Sequence, residues 1–142
     1  MSRSTELLDT CICTQLRTTA RVITRMYDAL LRDTGLKASQ LSVLAAVDSA
    51  ESVSIAELSK RLAMDRTTLT RNLKPLLDAQ LVHVGEEGWR RSKLVRITKA
   101  GQQRLSTAIP LWERAQEDIG NRFGQKRWQT VRSHLRDLAS QY

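Results

Sequence analysis

The stretch from residue 54 to residue 98 constrains the fold of this chain more than any other part of the sequence. It opens with Ser-Ile-Ala-Glu, a capping box in which the Ser54 hydroxyl accepts a hydrogen bond from the N–H of Glu57 and the Glu57 carboxylate accepts one from the N–H of Ser54. Three apolar residues then fall on one helical face, namely Ile55, Leu58 and Leu62. These features predict a short helix that ends in a turn at Ala63 and Met64.

A second helix is predicted directly after this turn. The Asp65 carboxylate is a good N-cap, because it accepts hydrogen bonds from free backbone N–H groups and suits the positive end of the helix dipole. Pro75 deletes the hydrogen bond to the Arg71 carbonyl, which predicts a bend beyond the first turns. The apolar residues that recur at helical spacing, and that we expect to be buried, are Leu69, Leu73, Leu76 and Leu77.

The opposite face of this second helix is polar and basic. Thr67, Thr68 and Arg71 are spaced so that two hydroxyls and a guanidinium project from the first two turns, with Arg66 and Lys74 beside them. An inserted recognition helix presents these turns to base edges in the major groove of DNA. We therefore expect Thr67, Thr68 and Arg71 to contact bases and nearby phosphates, and Arg66 and Lys74 to hold the DNA backbone.

Two β-type runs follow, at residues 81–84 and 94–97, and a long segment with two glycines joins them. This pattern predicts a hairpin whose tip extends from the core. Such a tip can lie along a minor groove, with Arg90 or Arg91 entering it and Lys93 on phosphate. Trp89 either stacks on a sugar or packs at the hairpin base. Two short helices, a tight turn and a basic hairpin are typical of a winged helix-turn-helix.

The distribution of charge agrees with a polyanionic partner. The whole chain carries 23 Lys and Arg against 15 Asp and Glu, a net charge of +8. Residues 61–98 hold eight of the basic and four of the acidic residues, so half of the excess lies in this stretch. Such a balance favours nucleic acid, although on charge alone a solvated basic surface explains it equally well.

The sequence resembles the MarR family of transcriptional regulators. The residues that carry the resemblance are the helix at 65–73, the wing at 90–98 with Lys-Ala-Gly after it, and two upstream segments at 35–36 and 40–44. The chain departs from the family pattern at Trp89, where family wings usually carry an acidic residue. The resemblance implies a DNA-binding regulator, more often a repressor, whose wing and recognition helix read an operator and whose affinity a small-molecule effector or thiol oxidation relieves.

Helical stripes flank this region on both sides. Apolar residues recur at helical spacing from about residue 4 to residue 32, and Gly35 is a C-cap type of glycine. A further helix is predicted at 40–50, with Leu41, Leu44, Ala45 and Val47 inward, and a third strand at 51–53. Thr98 is a plausible N-cap for a long helix with a kink at Pro110 and an end near 120–124, and a last helix is predicted at 125–140.

These elements predict one domain over residues 1–142, mainly α with a small β-hairpin wing. Residues 38–98 form the winged helix-turn-helix, and residues 4–34 and 99–142 form dimerisation helices, as the resemblance also implies. The terminal stripes would be exposed in a monomer, so we expect a two-fold homodimer. Its two recognition helices would read a near-palindromic operator in double-stranded DNA, with half-sites about 10 base pairs apart.

Cys11 and Cys13 are the one reactive pattern in the sequence. On a helix, residues two apart point about 200° apart, so the two thiols cannot share a ligand or pair without local unwinding. A metal site would need donors from elsewhere, and the only histidines are His83 and His134. A redox sensor is a stronger reading, because some family members respond to oxidants through a cysteine near this position. The simplest reading remains one buried thiol and one incidental one.

Arg21, Tyr27 and Trp112 could line the cleft between the dimerisation helices and the winged region, where many family members bind aromatic or anionic effectors. The alternative is that they pack in the core and at the interface, with Arg21 reaching solvent.

The sequence carries no motif of an enzyme, a cofactor site or a metal site, and no apolar run long enough for a membrane helix. The N-terminus lacks the apolar core of a signal peptide, so we expect a cytoplasmic protein. The function predicted is a dimeric, sequence-specific transcriptional regulator. The competing hypothesis is a winged helix that serves as a protein-interaction module and binds an acidic partner.

Overall fold

The computed structural model of the protein describes residues 1–85 and 93–142, and within them the chain is mainly helical with a small antiparallel sheet, as predicted. The helices and strands are α1 (Arg3–Thr10), α2 (Ile12–Leu31), a 3-10 turn (Arg32–Thr34), α3 (Ala38–Asp48), β1 (Val53–Ser54), α4 (Ile55–Leu62), α5 (Arg66–Asp78), β2 (Val82–Gly85), β3 (Leu94–Ile97), α6 (Lys99–Phe123) and α7 (Gln125–Ala139).

The sheet has the strand order β1-β3-β2, with both pairings antiparallel. Val53 lies opposite Val95, and Val84 also pairs with Val95 from the other side. The predicted third strand therefore exists, although it consists of Val53–Ser54 and not of residues 51–53. It brings the start of α4 against the stem of the hairpin.

Helix α3 lies at the centre of the core and contacts α2, α4, α5, α6 and β3. Its side chains are buried on more than one side, including Val43 and Ala46 as well as Leu41, Leu44 and Val47. The prediction that Ala45 points inward is wrong, because Ala45 lies on the narrow strip of α3 that faces solvent.

The N-terminal region contradicts the prediction of one continuous helix over residues 4–32. The chain breaks at Cys11, whose backbone is extended with φ −69° and ψ 114°. The Gln15 side-chain amide donates hydrogen bonds to the carbonyl oxygens of Leu8 and Asp9, both at 3.3 Å, and so caps the end of α1. With the N–H of Cys11 donating to the Leu7 carbonyl, the carbonyls of Leu7, Leu8 and Asp9 are satisfied without a continuing helix.

The two prolines stand inside helices that continue past them. Helix α5 contains Pro75 and ends at Asp78, and α6 contains Pro110 and ends at Phe123. Leu69, Leu73 and Leu76 are buried as predicted, but Leu77 is 38% exposed. Residue 77 lies about 100° around the helix from Leu76, which turns its side chain away from the core.

Helix α6 begins in close contact with the sheet. A Cβ placed on Gly101 would lie 2.0 Å from the carbonyl oxygen of Leu81, so only glycine fits this position. The predicted cap is confirmed, since the Thr98 hydroxyl accepts from the N–H of Gly101 at 3.0 Å and donates to the carbonyl of Gln80 at 2.7 Å. The wing stem, the end of α5 and the start of α6 are thus held together. Across residues 1–85 and 93–142, no helix combines the length and the apolarity needed to cross a membrane.

Candidate nucleic-acid interface

The turn between α4 and α5 fixes how the second helix projects from the domain. The predicted capping box at Ser54 is present, with the Ser54 hydroxyl accepting from the N–H of Glu57 at 3.1 Å. At the other end of α4, Ala63 takes the left-handed conformation with φ 50°, and the N–H of Met64 donates to the carbonyl of Ser59 at 3.0 Å. The chain therefore turns within three residues, from Ala63 to Asp65, and α5 starts at Arg66.

The start of α5 is fixed by Asp65. Its carboxylate accepts from the N–H of Thr68 at 2.7 Å. Hydrogen bonds from the N–H and hydroxyl of Thr68 hold the pKa of Asp65 below its ordinary value, with a smaller contribution from the charge of Arg71. The hydrogen bond from Thr68 fixes the residue at which α5 begins. The negative charge of Asp65 stabilises this first turn, because it lies at the positive end of the helix dipole.

The face of α5 that points to solvent carries most of the side chains predicted to meet DNA. Arg66, Thr67, Arg71 and Lys74 are exposed, whereas Thr68 is half-buried and its hydroxyl is engaged by Asp65. The Lys74 ammonium forms an exposed ion pair with Asp78 at 2.8 Å. Exposed pairs of this kind contribute little to stability, so Lys74 is free to exchange this partner for a phosphate.

Thr70 also lies on this face and was not among the predicted residues. It is exposed, one turn beyond Arg66, and its hydroxyl donates to the Arg66 carbonyl at 2.8 Å. The hydroxyl oxygen keeps a lone pair free to accept from a base or another donor. Its spacing of three residues from Thr67 was the signal that could have identified it.

The hairpin stem follows α5, at Val82–Gly85 and Leu94–Ile97, and begins one residue later than predicted. Val82 and Val95 point into the core, while His83 and Arg96 face each other on the outer surface. Lys93 is exposed next to β3. The predicted contacts of Trp89, Arg90 and Arg91 lie outside the described residues.

Two polar contacts hold the segment that leads from α2 into α3. The Asp28 carboxylate of α2 accepts from the N–H of Ala38 at 2.8 Å, and so caps α3 from another helix. The Arg104 guanidinium of α6 donates to the carbonyl of Thr34 at 2.7 Å. Neither contact was predicted, because the paired residues are far apart in the sequence.

Comparison with known proteins agrees with this geometry. The model of the MarR family matches residues 34–92. The structure of the transcriptional regulator MosR of M. tuberculosis in complex with DNA is 35% identical, with a TM-score of 0.82, over 92% of this chain and 94% of that one. This chain belongs to the MarR family. Members of this family are DNA-binding transcription regulators and not enzymes.

Two further solved structures share the MarR fold at lower identity. A single-residue mutant of MarR from E. coli, complexed with operator DNA, has a TM-score of 0.83 at 19% identity, over 93% of this chain and 96% of that one. The repressor CouR bound to a 23-mer DNA duplex has a TM-score of 0.84 at 20% identity, over 94% and 95%. No protein with a curated description matches the sequence significantly.

The three residues predicted to bind an effector in this MarR-family chain are not all brought together. Tyr27 of α2 is half-buried and its hydroxyl accepts a hydrogen bond from Gln116 of α6, one turn beyond Trp112. The contacts of Tyr27 with Gln116 and of Thr34 with Arg104 show that α2 and α6 run antiparallel. Arg21 and Trp112 therefore lie on opposite sides of Tyr27, about 15 Å apart along the helices.

Burial raises the pKa of Tyr27, so its hydroxyl remains protonated and able to donate. Trp112 lies one turn of α6 from Gln116, the partner of Tyr27, whereas Arg21 is exposed and lies on the other side of Tyr27 along the helices. A shallow groove of about 690 Å³ lies elsewhere, and its lining includes Val53, Glu57 and Lys60. None of the three predicted effector residues lines that groove.

The cysteine pair is not on one helix, so the geometric reasoning from helical spacing was wrong for Cys11. Cys11 lies half-buried at the break between α1 and α2, and Cys13 is exposed in the first turn of α2. Hydrogen bonds from the hydroxyl and N–H of Thr14 hold the pKa of the Cys11 thiol below its ordinary value. Both thiols are free. Within the part of the chain that the structure describes, no three His, Cys, Asp or Glu side chains are grouped to hold a metal ion.

Proposed function

We propose that the protein is a homodimeric transcriptional regulator that binds a near-palindromic operator in double-stranded DNA and represses transcription in the cytoplasm. The observation that carries this proposal is the exposed face of α5, where Arg66, Thr67, Thr70 and Arg71 project from a helix whose start is fixed by Asp65. A helix presented in this way suits the major groove, which admits an α-helix and distinguishes all four base pairs. The DNA complexes of MosR and of E. coli MarR support it by analogy.

Each side chain has a proposed role. Arg71 and Thr67 contact base edges. Thr68 is less exposed, and it contacts a base or a nearby phosphate with the part of its side chain that remains accessible. Arg66 and Lys74 hold phosphates. In the wing, Arg90 or Arg91 enters the minor groove, Lys93 contacts phosphate and Trp89 stacks on a sugar or packs at the hairpin base.

A homodimer is supported by the apolar side chains that the terminal helices leave exposed. Leu7 and Leu8 are each 58% exposed, and Ile12 is 62% exposed. Further exposed apolar residues lie on α6 and α7, and α7 has no buried residue. Large apolar surface of this kind is rare on monomers, and a second copy would remove it from water. We therefore assign residues 4–34 and 99–142 to dimerisation and residues 38–98 to DNA binding.

An effector would act by changing the separation of the two recognition helices. A site between α2 and α6 at Tyr27 and Trp112 is one candidate, because α2 caps α3 through Asp28 and α6 holds the turn before α3 through Arg104. Thiol oxidation is a second route. Cys11 lies at a helix break, and its lowered pKa increases the fraction of the reactive thiolate.

The experiment is fluorescence anisotropy of the protein on DNA from upstream of its own gene and on scrambled DNA, at two salt concentrations. We expect a saturable preference for the upstream DNA that persists at the higher salt. Arg71→Ala should then weaken binding by about 1 to 3 kcal/mol and relax base preference. Lys37→Ala, which removes an exposed positive charge outside both the dimerisation and the DNA-binding segments, is the control.

Two outcomes would contradict the proposal. Equal and steeply salt-dependent binding to several candidate operators and to scrambled DNA would mean that only counterion release is measured. Loss of binding to an acidic protein partner in Arg71→Ala, without any effect on DNA, would favour the protein-interaction module instead.

A further inference from the structure

A row of three arginines runs along the outer surface of α2. Arg17, Arg21 and Arg25 follow one another at intervals of four residues, which places them on one side of the helix about 6 Å apart along its axis. All three side chains are exposed. Like charges at this spacing raise the free energy of a helix, so the row is unfavourable in the isolated chain.

The arginine row has no counterion among residues 1–85 and 93–142. None of the three guanidiniums has a hydrogen bond or ion pair with any residue that the structure describes there. The only acidic residue within α2 is Asp28, and its carboxylate accepts from the N–H of Ala38. Among the described residues, the row is therefore a set of three positive charges that have no partner.

A matching pair of acidic residues occurs on α6. Glu113 and Glu117 are also four residues apart and exposed, and their carboxylates have no hydrogen bond or ion pair with any described residue. The neighbouring Asp118 differs, because it is paired with Arg122 at 2.8 Å. The two unpaired carboxylates thus have the same axial spacing as two successive guanidiniums of the row.

Arg25 of the row and Glu117 of the acidic pair lie away from the contact between α2 and α6 within one chain. That contact is marked by the hydrogen bond between Tyr27 and Gln116. Around the helices, Arg25 lies about 160° from Tyr27, and Glu117 lies about 100° from Gln116. Arg25 and Glu117 therefore point away from the surface on which α2 and α6 meet.

Exposed apolar side chains border both sets of charges. Leu16 and Val22, which adjoin Arg17 and Arg21 in the sequence, are 38% and 51% exposed, and Trp112 beside Glu113 is 43% exposed. A polyanion such as DNA would cover charge but leave these apolar groups in water. A protein surface with apolar and acidic groups would cover both the charges and the apolar side chains. The exposed surface of α6 in this same chain carries both kinds of group.

We propose that, in the homodimer, the arginine row of α2 in one copy lies against Glu113 and Glu117 of α6 in the second copy. The two-fold axis makes this contact occur twice. The inference rests on the proposed homodimer and adds the surfaces that set its register. Arginine suits the role, because its planar guanidinium binds a carboxylate with two parallel hydrogen bonds.

Charge reversal provides a test that separates this contact from general effects of charge. One variant carries Arg21→Glu and Arg25→Glu, and a second carries Glu113→Arg and Glu117→Arg. In each homodimer, like charges meet twice, so we expect the dimer Kd from sedimentation equilibrium to rise about tenfold or more. In a mixture, opposite charges meet at both contacts of the heterodimer.

We therefore expect native mass spectrometry of an equimolar mixture to show a heterodimer fraction well above the value of about one half that random pairing gives. The variant with all four reversals should recover the parent dimer Kd, which shows that the single sets fold. Lys37→Glu with Lys60→Glu, two exposed positions outside both dimerisation segments, is the control for net charge and should not favour a heterodimer with the Glu113→Arg, Glu117→Arg chain.

The failures are distinguishable from one another. A parent protein that remains monomeric would overturn the homodimer and this contact with it. A dimeric parent whose two reversed variants retain its Kd and pair at random would overturn the contact alone. Loss of DNA affinity in Arg21→Glu with Arg25→Glu, at an unchanged dimer Kd, would assign the row to DNA and also overturn it.

Discussion

The guanidinium of Arg104 donates a 2.7 Å hydrogen bond to the carbonyl oxygen of Thr34 and so joins α6 to the turn where α2 ends. Thr34 is buried, and its hydroxyl donates to the Leu31 carbonyl at 2.6 Å and accepts from the N–H of Leu36 at 3.1 Å. The turn that leads into α3 is thus fixed from within by Thr34 and from outside by Arg104.

Replacing Arg104 by alanine removes this link. A hydrogen bond from a charged donor contributes about 1.5 to 3 kcal/mol, and its loss leaves the Thr34 carbonyl with one partner fewer. We expect the free energy of unfolding in urea to fall by about that amount. Arg114→Ala, an exposed arginine on the same helix, is the control and should be close to neutral. Equal stability of both variants would show that the contact contributes nothing.

The close approach at Gly101 predicts a sharp difference between two glycines of α6. Gly101→Ala places a methyl group 2.0 Å from the Leu81 carbonyl oxygen and 2.7 Å from Ile97, so the strand must move. We expect a loss of about 1 to 3 kcal/mol. At Gly120 the new methyl meets only the end of the Gln125 side chain, which can rotate away. Gly120→Ala should therefore be neutral or stabilising by up to about 1 kcal/mol. Thermal unfolding of both variants checks this.

The turn of the helix-turn-helix carries a residue in an unfavourable conformation. Ala63 has φ 50° and ψ 38°, a region that favours glycine. We expect Ala63→Gly to stabilise the protein by about 0.5 to 1 kcal/mol, because the folded state no longer bears the steric cost of a Cβ. Ala45→Gly, at an exposed position inside α3, should instead destabilise by about 0.5 to 1 kcal/mol. Urea midpoints that move in the same direction for both variants would contradict this reasoning.

Local signals in the sequence predicted most of the winged region correctly. The capping boxes and caps at Ser54, Asp65 and Thr98 act within three residues, so the sequence alone specifies them. The hairpin strands and the buried leucines of α5 follow from short periodic patterns. For the same reason the exposed face of α5 could be predicted, apart from Thr70, which lies on the same face but was not among the predicted residues.

Side-chain contacts and packing that no periodic pattern encodes account for what the sequence did not reveal. The break at Cys11 depends on the Gln15 side chain folding back onto α1, which hydrophobic periodicity does not register. Ala45 is exposed because the elements that contact α3 leave uncovered the strip on which Ala45 lies, and this arrangement cannot be read from the sequence of α3 alone. The cap from Asp28 to α3 and the hydrogen bond of Arg104 join elements whose packing had to be known first.

The depressed pKa of Asp65 predicts a pH dependence for the stability of α5. Its folded pKa lies below its unfolded value, so the stabilisation is present above the unfolded pKa of about 3.9 and is lost as the pH falls through the folded value. Asp65→Asn keeps a capping side chain but removes the charge. We expect the parent to be the more stable protein at neutral pH and the difference to vanish in acid. A difference in urea midpoint that is constant from neutral pH to below the folded pKa would contradict this assignment.

The last prediction concerns Thr70 and Thr68, which lie on the same helix but differ in exposure. It tests whether the more exposed hydroxyl is the one that contributes to operator affinity. Its hydroxyl is exposed and keeps acceptor capacity, whereas the Thr68 hydroxyl is engaged by Asp65. Thr70→Val retains the shape and removes the hydroxyl, so operator affinity should fall by about 0.5 to 1.5 kcal/mol with little change in stability. Thr68→Val should mainly lower stability, since the Asp65 cap loses one donor. The reverse pattern in anisotropy and urea titrations would mean that operator affinity depends on the Thr68 hydroxyl and not on that of Thr70.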